Sequence, residues 1–428
     1  MPIDYQVSAT TSADWTFWNT REQYAFGELA YHLSGDWTVK GVVTYHQFDE
    51  RARLLYASNY PDQDTGLGLN AMSGMYPSRD DQYMFDLYAS GSVTLFGRQH
   101  ELVFGANAAQ SYLDEYESFH DGELDYPAVD LWGKEQIALP DYPDPYHAAH
   151  VSDRQYRFYA AAHINFSDSL KGIAGFDVIK LLSKGISYGV DQRRDSYNVS
   201  PYAGLVWSLT SNLNAYASYT NIFNPQSDVD INHQRLAPAT GNSYEGGLKT
   251  QWFDGRLIAT AAVFRAEQLG LAQYAGTFDD GKSYSTGVDT FVTGYEFEIG
   301  GAISDDWTVN AGWTELKIKG SDGQDVSGYV PRQSFKLSTV YTMPELRDLK
   351  LGGSVRWQSS IYTDDLIRFR QEAYAVLDFL VGIRVVDGLR ATLNVNNVTD
   401  EKYLGSLKWN QAYYAAPRSF TVGLNYAY

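Results

Sequence analysis

Aromatic side chains and arginines gather in the segments that separate the alternating stretches of this chain. Tyr60, Tyr76, Tyr126, Trp132, Tyr142, Tyr146, Tyr274, Tyr362, Trp409, Tyr413 and Tyr414 all fall there, with Arg193, Arg194, Arg368 and Arg370. Aromatic rings give rigid contact area at small entropic cost, and a hydroxyl or indole N–H sits at the edge. Guanidinium groups pair with anionic oxygens. That is the chemistry of holding a polar, oxygen-rich ligand rather than of making or breaking a bond. Interfacial girdles and loop packing use the same residue types. The candidate ligand contacts are Tyr76, Trp132, Tyr146, Arg193, Arg194, Tyr362, Arg368, Trp409 and Tyr413.

Reactive constellations are sparse. His147 and His150 form His-x-x-His in a segment read as a loop. Metal ligation needs further ligands, so they are read as ordinary loop histidines and no metal site or cofactor is expected. The chain has no cysteine, which removes disulfides and thiolate sites. Neither a phosphate loop nor a nucleophile–base set is evident. His163 lies near a short turn without an obvious serine partner. Asn397-Val398-Thr399 reads as the turn after a strand. No enzyme is expected.

The elements that must carry these residues are strands. In Ser419 to Tyr428, Phe420, Val422, Leu424, Tyr426 and Tyr428 take one face. Ser419, Thr421, Gly423, Asn425 and Ala427 take the other. The same alternation marks seventeen strand candidates: residues 23–33, 37–57, 82–96, 101–116, 155–166, 171–188, 199–209, 213–222, 243–253, 257–269, 291–303, 307–319, 334–341, 350–362, 374–385, 389–396 and 419–428. Tight turns such as Ser34-Gly35-Asp36 and Asp254-Gly255-Arg256 join many of them. Long segments take the other connections: 58–81, 117–154, 221–242, 270–290, 320–333, 363–373 and 397–418. Asp86, Asp378 and Arg384 fall on the polar parity of their strands. The fold expected is all-β, a transmembrane antiparallel barrel with lipid outside, a polar lumen, short periplasmic turns and long outer loops.

Bulk properties agree. The chain has 428 residues, 15% aromatic, including 34 tyrosines, which suit two membrane interfaces. No apolar run reaches the ~18 residues a helical span requires. A mean hydropathy of -0.36 is no obstacle, because every second barrel residue faces the lumen. The net charge of -19 argues against nucleic acid as a partner. Residues 1–13 are polar, so no leader peptide is read there.

Parity adds one inference. The last strand descends to the periplasm, and so does the first of seventeen. Single-chain bacterial barrels usually have an even strand count. An odd number of strands is therefore expected to precede this chain, since an open sheet leaves edges that lipid cannot satisfy.

Several stretches resemble TonB-dependent siderophore receptors, in the subgroup that takes up ferric hydroxamate and pyoverdine-type chelates. They are SPYAGLVWSLTSNLNAYASYTNIFNPQ from Ser200, GNSYEGGLKTQWFDGRL from Gly241, VPRQSFKLSTVY from Val330, LGGSVRWQSSIY from Leu351, LNVNNVTDEKYL from Leu393 and PRSFTVGLNYAY from Pro417. QYMFDLYASGSVTLFGRQHELVFGAN from Gln82 is similar too, and the order and spacing of the series make it specific. The resemblance implies a 22-stranded bacterial outer-membrane barrel, of which residues 1–428 are the C-terminal part, without five strands and the N-terminal plug. It implies a ferric siderophore as ligand, with iron arriving as cargo. Implied partners are the TonB complex through the N-terminal region, outer-membrane lipid and lipopolysaccharide, and the barrel assembly machinery, which would read Phe420, Val422, Leu424, Tyr426 and Tyr428. Two other readings fit a strand count near eighteen or an incomplete chain: a passive porin-like channel and a barrel fragment that transports nothing.

Overall fold

A computed structural model describes residues 6–427 except 60, 63, 123, 125, 129–136, 280–281, 364–368 and 409–410. Tyr60, Trp132, Arg368, Trp409 and Tyr428 lie outside the described residues.

Seventeen long strands form one antiparallel meander. They are β1 (Phe17–His32), β2 (Thr38–Ser58), β3 (Asn70–Leu95), β4 (Arg98–Phe119), β5 (Tyr146–Asn165) and β6 (Leu170–Ser187). Then come β7 (Arg194–Ser208), β8 (Leu213–Asn224), β9 (Ala239–Trp252), β10 (Leu257–Thr277), β11 (Ser283–Ser304) and β12 (Trp307–Gly320). β13 (Gln333–Met343), β14 (Leu349–Gln358), β15 (Tyr374–Val386), β16 (Leu389–Asn396) and β17 (Ser419–Tyr426) complete it. Each strand pairs with its sequence neighbours. Among the described residues β1 pairs only with β2, and β17 only with β16, so each end of the sheet keeps a free edge.

Register shows what the alternation is for. Phe420, Val422 and Leu424 lie opposite Val395, Leu393 and Ala391, which lie opposite Phe379, Val381 and Ile383. This apolar face is open: Val422 is 73% exposed and Leu424 70%. Side chains so apolar and so exposed over a whole sheet face are lipid-facing. Tyrosines neighbour one another on the same face. Tyr45 and Tyr83 have centroids 5.2 Å apart, Tyr83 and Tyr112 6.5 Å, and Tyr219 and Tyr244 5.3 Å. Farther round, Trp313 stacks on Trp357 at 5.7 Å. Trp207, Trp252 and Trp307 mark the other edge of the band, beside the short turns.

The opposite face is polar. The Tyr159 hydroxyl donates to Asp86 at 3.2 Å, Ser354 donates to Asp378 at 2.9 Å, and Lys40 pairs with Glu28 at 2.7 Å. Gly105 lets Tyr159 lie flat on this wall, since a Cβ there would stand 2.6 Å from the ring. The turn at Phe253, Asp254 and Gly255 has φ of 53°, 56° and 82°, a left-handed run that Asp and Gly tolerate.

All seventeen expected strands are present, but several outer connections are shorter than expected. β3 starts at Asn70 rather than 82, β5 at Tyr146 rather than 155, and β10 and β11 leave only 278–282 between them. Above the membrane both faces of a strand meet water, so the alternation that identifies it fades while backbone pairing continues. Pro77-Ser78-Arg79-Asp80-Asp81 reads as a loop by composition yet pairs residue for residue with Gln47 to Arg51. Conversely, β14 ends at Gln358, and Ile361–Tyr362 pairs with Arg370–Gln371 in a separate ribbon.

Candidate ligand site at the lumenal mouth

Strand extensions and connections at the outer end carry the candidate residues. Arg194 opens β7 on the inward face: it lies opposite Ser183, as Ser196 lies opposite Leu181 and Ser200 opposite Asp177. Its Nη2 donates to the carbonyls of Gln226 at 2.7 Å and Leu236 at 2.8 Å. Arg235 meets it from the connection between β8 and β9. There Nη1 donates to the Gln192 carbonyl at 2.9 Å, and Nη2 to the Gln226 carbonyl at 3.0 Å.

Gln226 is the hub of this arrangement and is 7% exposed. Its Nε2 donates to the carbonyls of Ala237 and Gly270, both at 2.8 Å, and its Oε1 accepts the Ala272 amide at 2.6 Å. One side chain thus ties the β8–β9 connection to β10, and its own carbonyl receives both arginines.

Among the described residues these guanidinium groups hold backbone carbonyls and no carboxylate. Among the same residues Arg194 Nη1, Arg235 Nε and the Ser196 hydroxyl are buried without a partner. Burial pushes both arginines below their usual pKa, and Arg235 adds to the effect on Arg194, with Asp153 opposing from a distance. Two like charges side by side, with donors to spare, suit an anionic oxygen ligand. They line a cavity of about 570 Å³ with His46, Gln82, Asp153 and Gln155, within the usual size of a small-ligand site. A second groove of about 540 Å³, lined by Ala25, Val43, Phe85 and Ala108, lies on the lipid face and suits an acyl chain.

Tyr76 and Tyr146 stand higher on the wall. Tyr76 lies within β3, not in a loop, edge-on to Tyr56 at 6.3 Å and Phe119 at 5.8 Å. Burial raises its pKa. The Tyr146 hydroxyl donates to Glu117, and chiefly that bond pushes its pKa up to about 12. Glu117 is 7% exposed, and its charge also acts on Tyr76, so these two candidates share one environment.

The remaining candidates sit elsewhere. Arg193 is exposed and pairs with Asp191 at 2.6 Å. Tyr362 and Tyr413 belong to a small unit of outer connections, in which Ile361, Leu404 and Leu407 pack with Tyr329 and Tyr414. Gly328 makes room for Tyr362, and Gly405 for Tyr413. Sequence reasoning missed Arg235 and the hub role of Gln226. Gln226 closes the Ser200 motif, and that was the available signal. His163 pairs with Glu101 at 3.5 Å.

The fold defines a β-barrel of the bacterial outer-membrane type, with a lipid face and a polar face that ends in the arginine-lined cavity. A family model described as "TonB dependent receptor-like, beta-barrel" matches residues 2–398, and the chain belongs to that family. The "Ferric-pyoverdine 358 receptor" of Pseudomonas putida is 31% identical over 99% of this chain and 54% of its own length. The "Ferripyoverdine receptor" of Pseudomonas aeruginosa is 29% identical over 97% of this chain and 53% of its own. The chain thus spans about half the length of these curated relatives. Among solved structures, the outer-membrane ferripyoverdine receptor of Pseudomonas aeruginosa bound to ferripyoverdine superposes with a TM-score of 0.90 at 27% identity, covering 99% of this chain and 58% of that one.

Proposed function

We propose that this barrel belongs to a TonB-energised receptor that takes up a ferric siderophore of hydroxamate or pyoverdine type. The observation that carries the reading is the inward-facing Arg194–Arg235 pair, which among the described residues bonds no carboxylate and holds unpartnered donors, in an otherwise acidic chain. Hydroxamate and catecholate chelates of iron present anionic oxygens, which such donors would recognise. The names of the relatives support the same class of ligand.

Iron is cargo in this reading, and the barrel needs no resident cofactor and catalyses no reaction. Transport draws on a plug and on TonB contacted through an N-terminal region. The lipid face meets outer-membrane lipid and lipopolysaccharide, and the terminal strand is the segment that the assembly machinery reads. The test is equilibrium binding by the outer-membrane protein that contains this barrel, against hydroxamate, catecholate and mixed ferric chelates. Saturable binding of a hydroxamate-containing chelate is expected. Failure of every chelate to bind, with sugars passing freely in liposome swelling, would replace the receptor with a channel.

A further inference from the structure

His147 and His150 stand three residues apart, and on a regular strand that spacing sends them to opposite faces. Here the pairing of β4 and β5 slips. His150 lies opposite Asp114 and Ala149 opposite Glu115, but His147 lies opposite Tyr116, leaving Ala148 as an extra residue. Such a bulge re-aims the side chains beyond it, and it returns His147 to the face of His150.

Both imidazoles then converge on one carboxylate. His147 Nε2 is 3.0 Å from Asp114 Oδ1, and His150 Nδ1 is 2.7 Å from the same oxygen. Among the described residues, one group of three potential ligand side chains has its donor atoms within 4.8 Å of one another, and it is this one. His147 is held in place by stacking on Tyr116, with centroids 4.6 Å apart and planes at 11°.

We infer that Asp114, His147 and His150 form a binding site for a first-row divalent cation of the Zn²⁺ type. Two imidazoles and one carboxylate select such ions over Ca²⁺ and Mg²⁺, which prefer oxygen alone. Ligands on a tetrahedral Zn²⁺ stand about 3.3 Å apart. The separations from Asp114 Oδ1, 3.0 Å to His147 and 2.7 Å to His150, are short of this by about 0.3 and 0.6 Å. All three side chains are about 40% exposed or more, so a further position stays open to water. Asp114 shares its face with Tyr112, two residues nearer the membrane and one of the outward tyrosines. The cation therefore sits on the outer wall, off the lumenal route, and clips β4 to β5 across the ladder.

Zn²⁺ titration of the detergent-solubilised outer-membrane protein that contains this barrel, by calorimetry with Co²⁺ absorption as a second readout, tests this. One Zn²⁺ per chain is expected, weakened about tenfold or more by His147→Ala, His150→Ala or Asp114→Asn, and unchanged by His120→Ala or His233→Ala. Inserting an alanine between Glu115 and Tyr116 keeps all three ligands, gives Ala148 a partner and restores regular alternation, which turns His147 to the opposite face. In a barrel whose heat-modifiable gel shift is normal, it is expected to abolish the site. Absence of stoichiometric binding, or binding that survives the double change His147→Ala and His150→Ala, overturns the inference. Binding that survives the insertion between Glu115 and Tyr116 overturns the geometry on which it rests.

Discussion

On β17 the residues Phe420, Val422 and Leu424 face lipid while Thr421 and Gly423 face inward; at the top of β3, Arg79, Asp80 and Asp81 are polar on both faces. Both stretches belong to one continuous ladder. At membrane depth the two sides of a strand meet different solvents, so side-chain type is tied to parity, and a misplaced charge meets hydrocarbon. Above the membrane both sides meet water. Backbone pairing alone holds the strand there, and side chains are free to serve a ligand or a neighbouring connection. The lower region specifies insertion, and the upper region is where we propose that ligand is bound.

The sharpest way to break this contrast is a charge at each parity. Val422→Arg places a guanidinium on the lipid face, at a cost of about 2–4 kcal/mol near mid-bilayer. Thr421→Arg, one residue away and inward, is expected to cost about 0.5 kcal/mol. Heat-modifiability and the yield of assembled barrel in the outer membrane would register the difference; equal losses from both would refute the assignment of faces.

A smaller effect is expected at the hub. Gln226→Ala leaves the Ala237 and Gly270 carbonyls and the Ala272 amide without their side-chain partner, a local loss of about 1–3 kcal/mol. Hydrogen exchange should quicken at Ala272 and in the β8–β9 connection while the membrane band stays protected. Uniform quickening across the barrel would mean that the two regions are not separable.

Smallest of all is a surface pair in the upper region. Asp81 is held below the usual carboxylate range, first by Arg79 and then by the Tyr45 hydroxyl, against the effect of burial. A depressed carboxyl pKa contributes stability above the ordinary value of about 3.9 and loses it as pH falls through the lower folded value. Arg79→Ala should therefore lower the denaturation midpoint slightly at pH 6 and match the wild type in strong acid. A difference that grows as pH falls would contradict the sign.

Legibility in the sequence followed the same division. Strand after strand was readable because lipid and lumen impose a period of two, and Asp86, Asp378 and Arg384 fell on the inward parity. The outer ends were not readable. Tyr76 and Tyr146 read as loop residues because their neighbours alternate in neither sense, yet both lie on strands. Arg193 and Arg194 looked equivalent in sequence; only register turns Arg194 inward and leaves Arg193 on Asp191. Arg235 gave no signal, because its connection is ordered by hydrogen bonds to carbonyls, which composition does not reveal. The His147–His150 pair lacked a third ligand until a bulge and a neighbouring strand supplied Asp114.

The central claim is that the inward arginine pair receives an anionic chelate. It is tested most directly by equilibrium binding of a hydroxamate-containing ferric siderophore to the outer-membrane protein that contains this barrel. Wild type, Arg193→Ala and the double change Arg194→Ala with Arg235→Ala should be compared in parallel. Binding is expected to weaken about tenfold or more in the double variant, some 1.4 kcal/mol or above, and to be unchanged by Arg193→Ala. Equal affinity in all three proteins, with the barrel assembled normally, would contradict it.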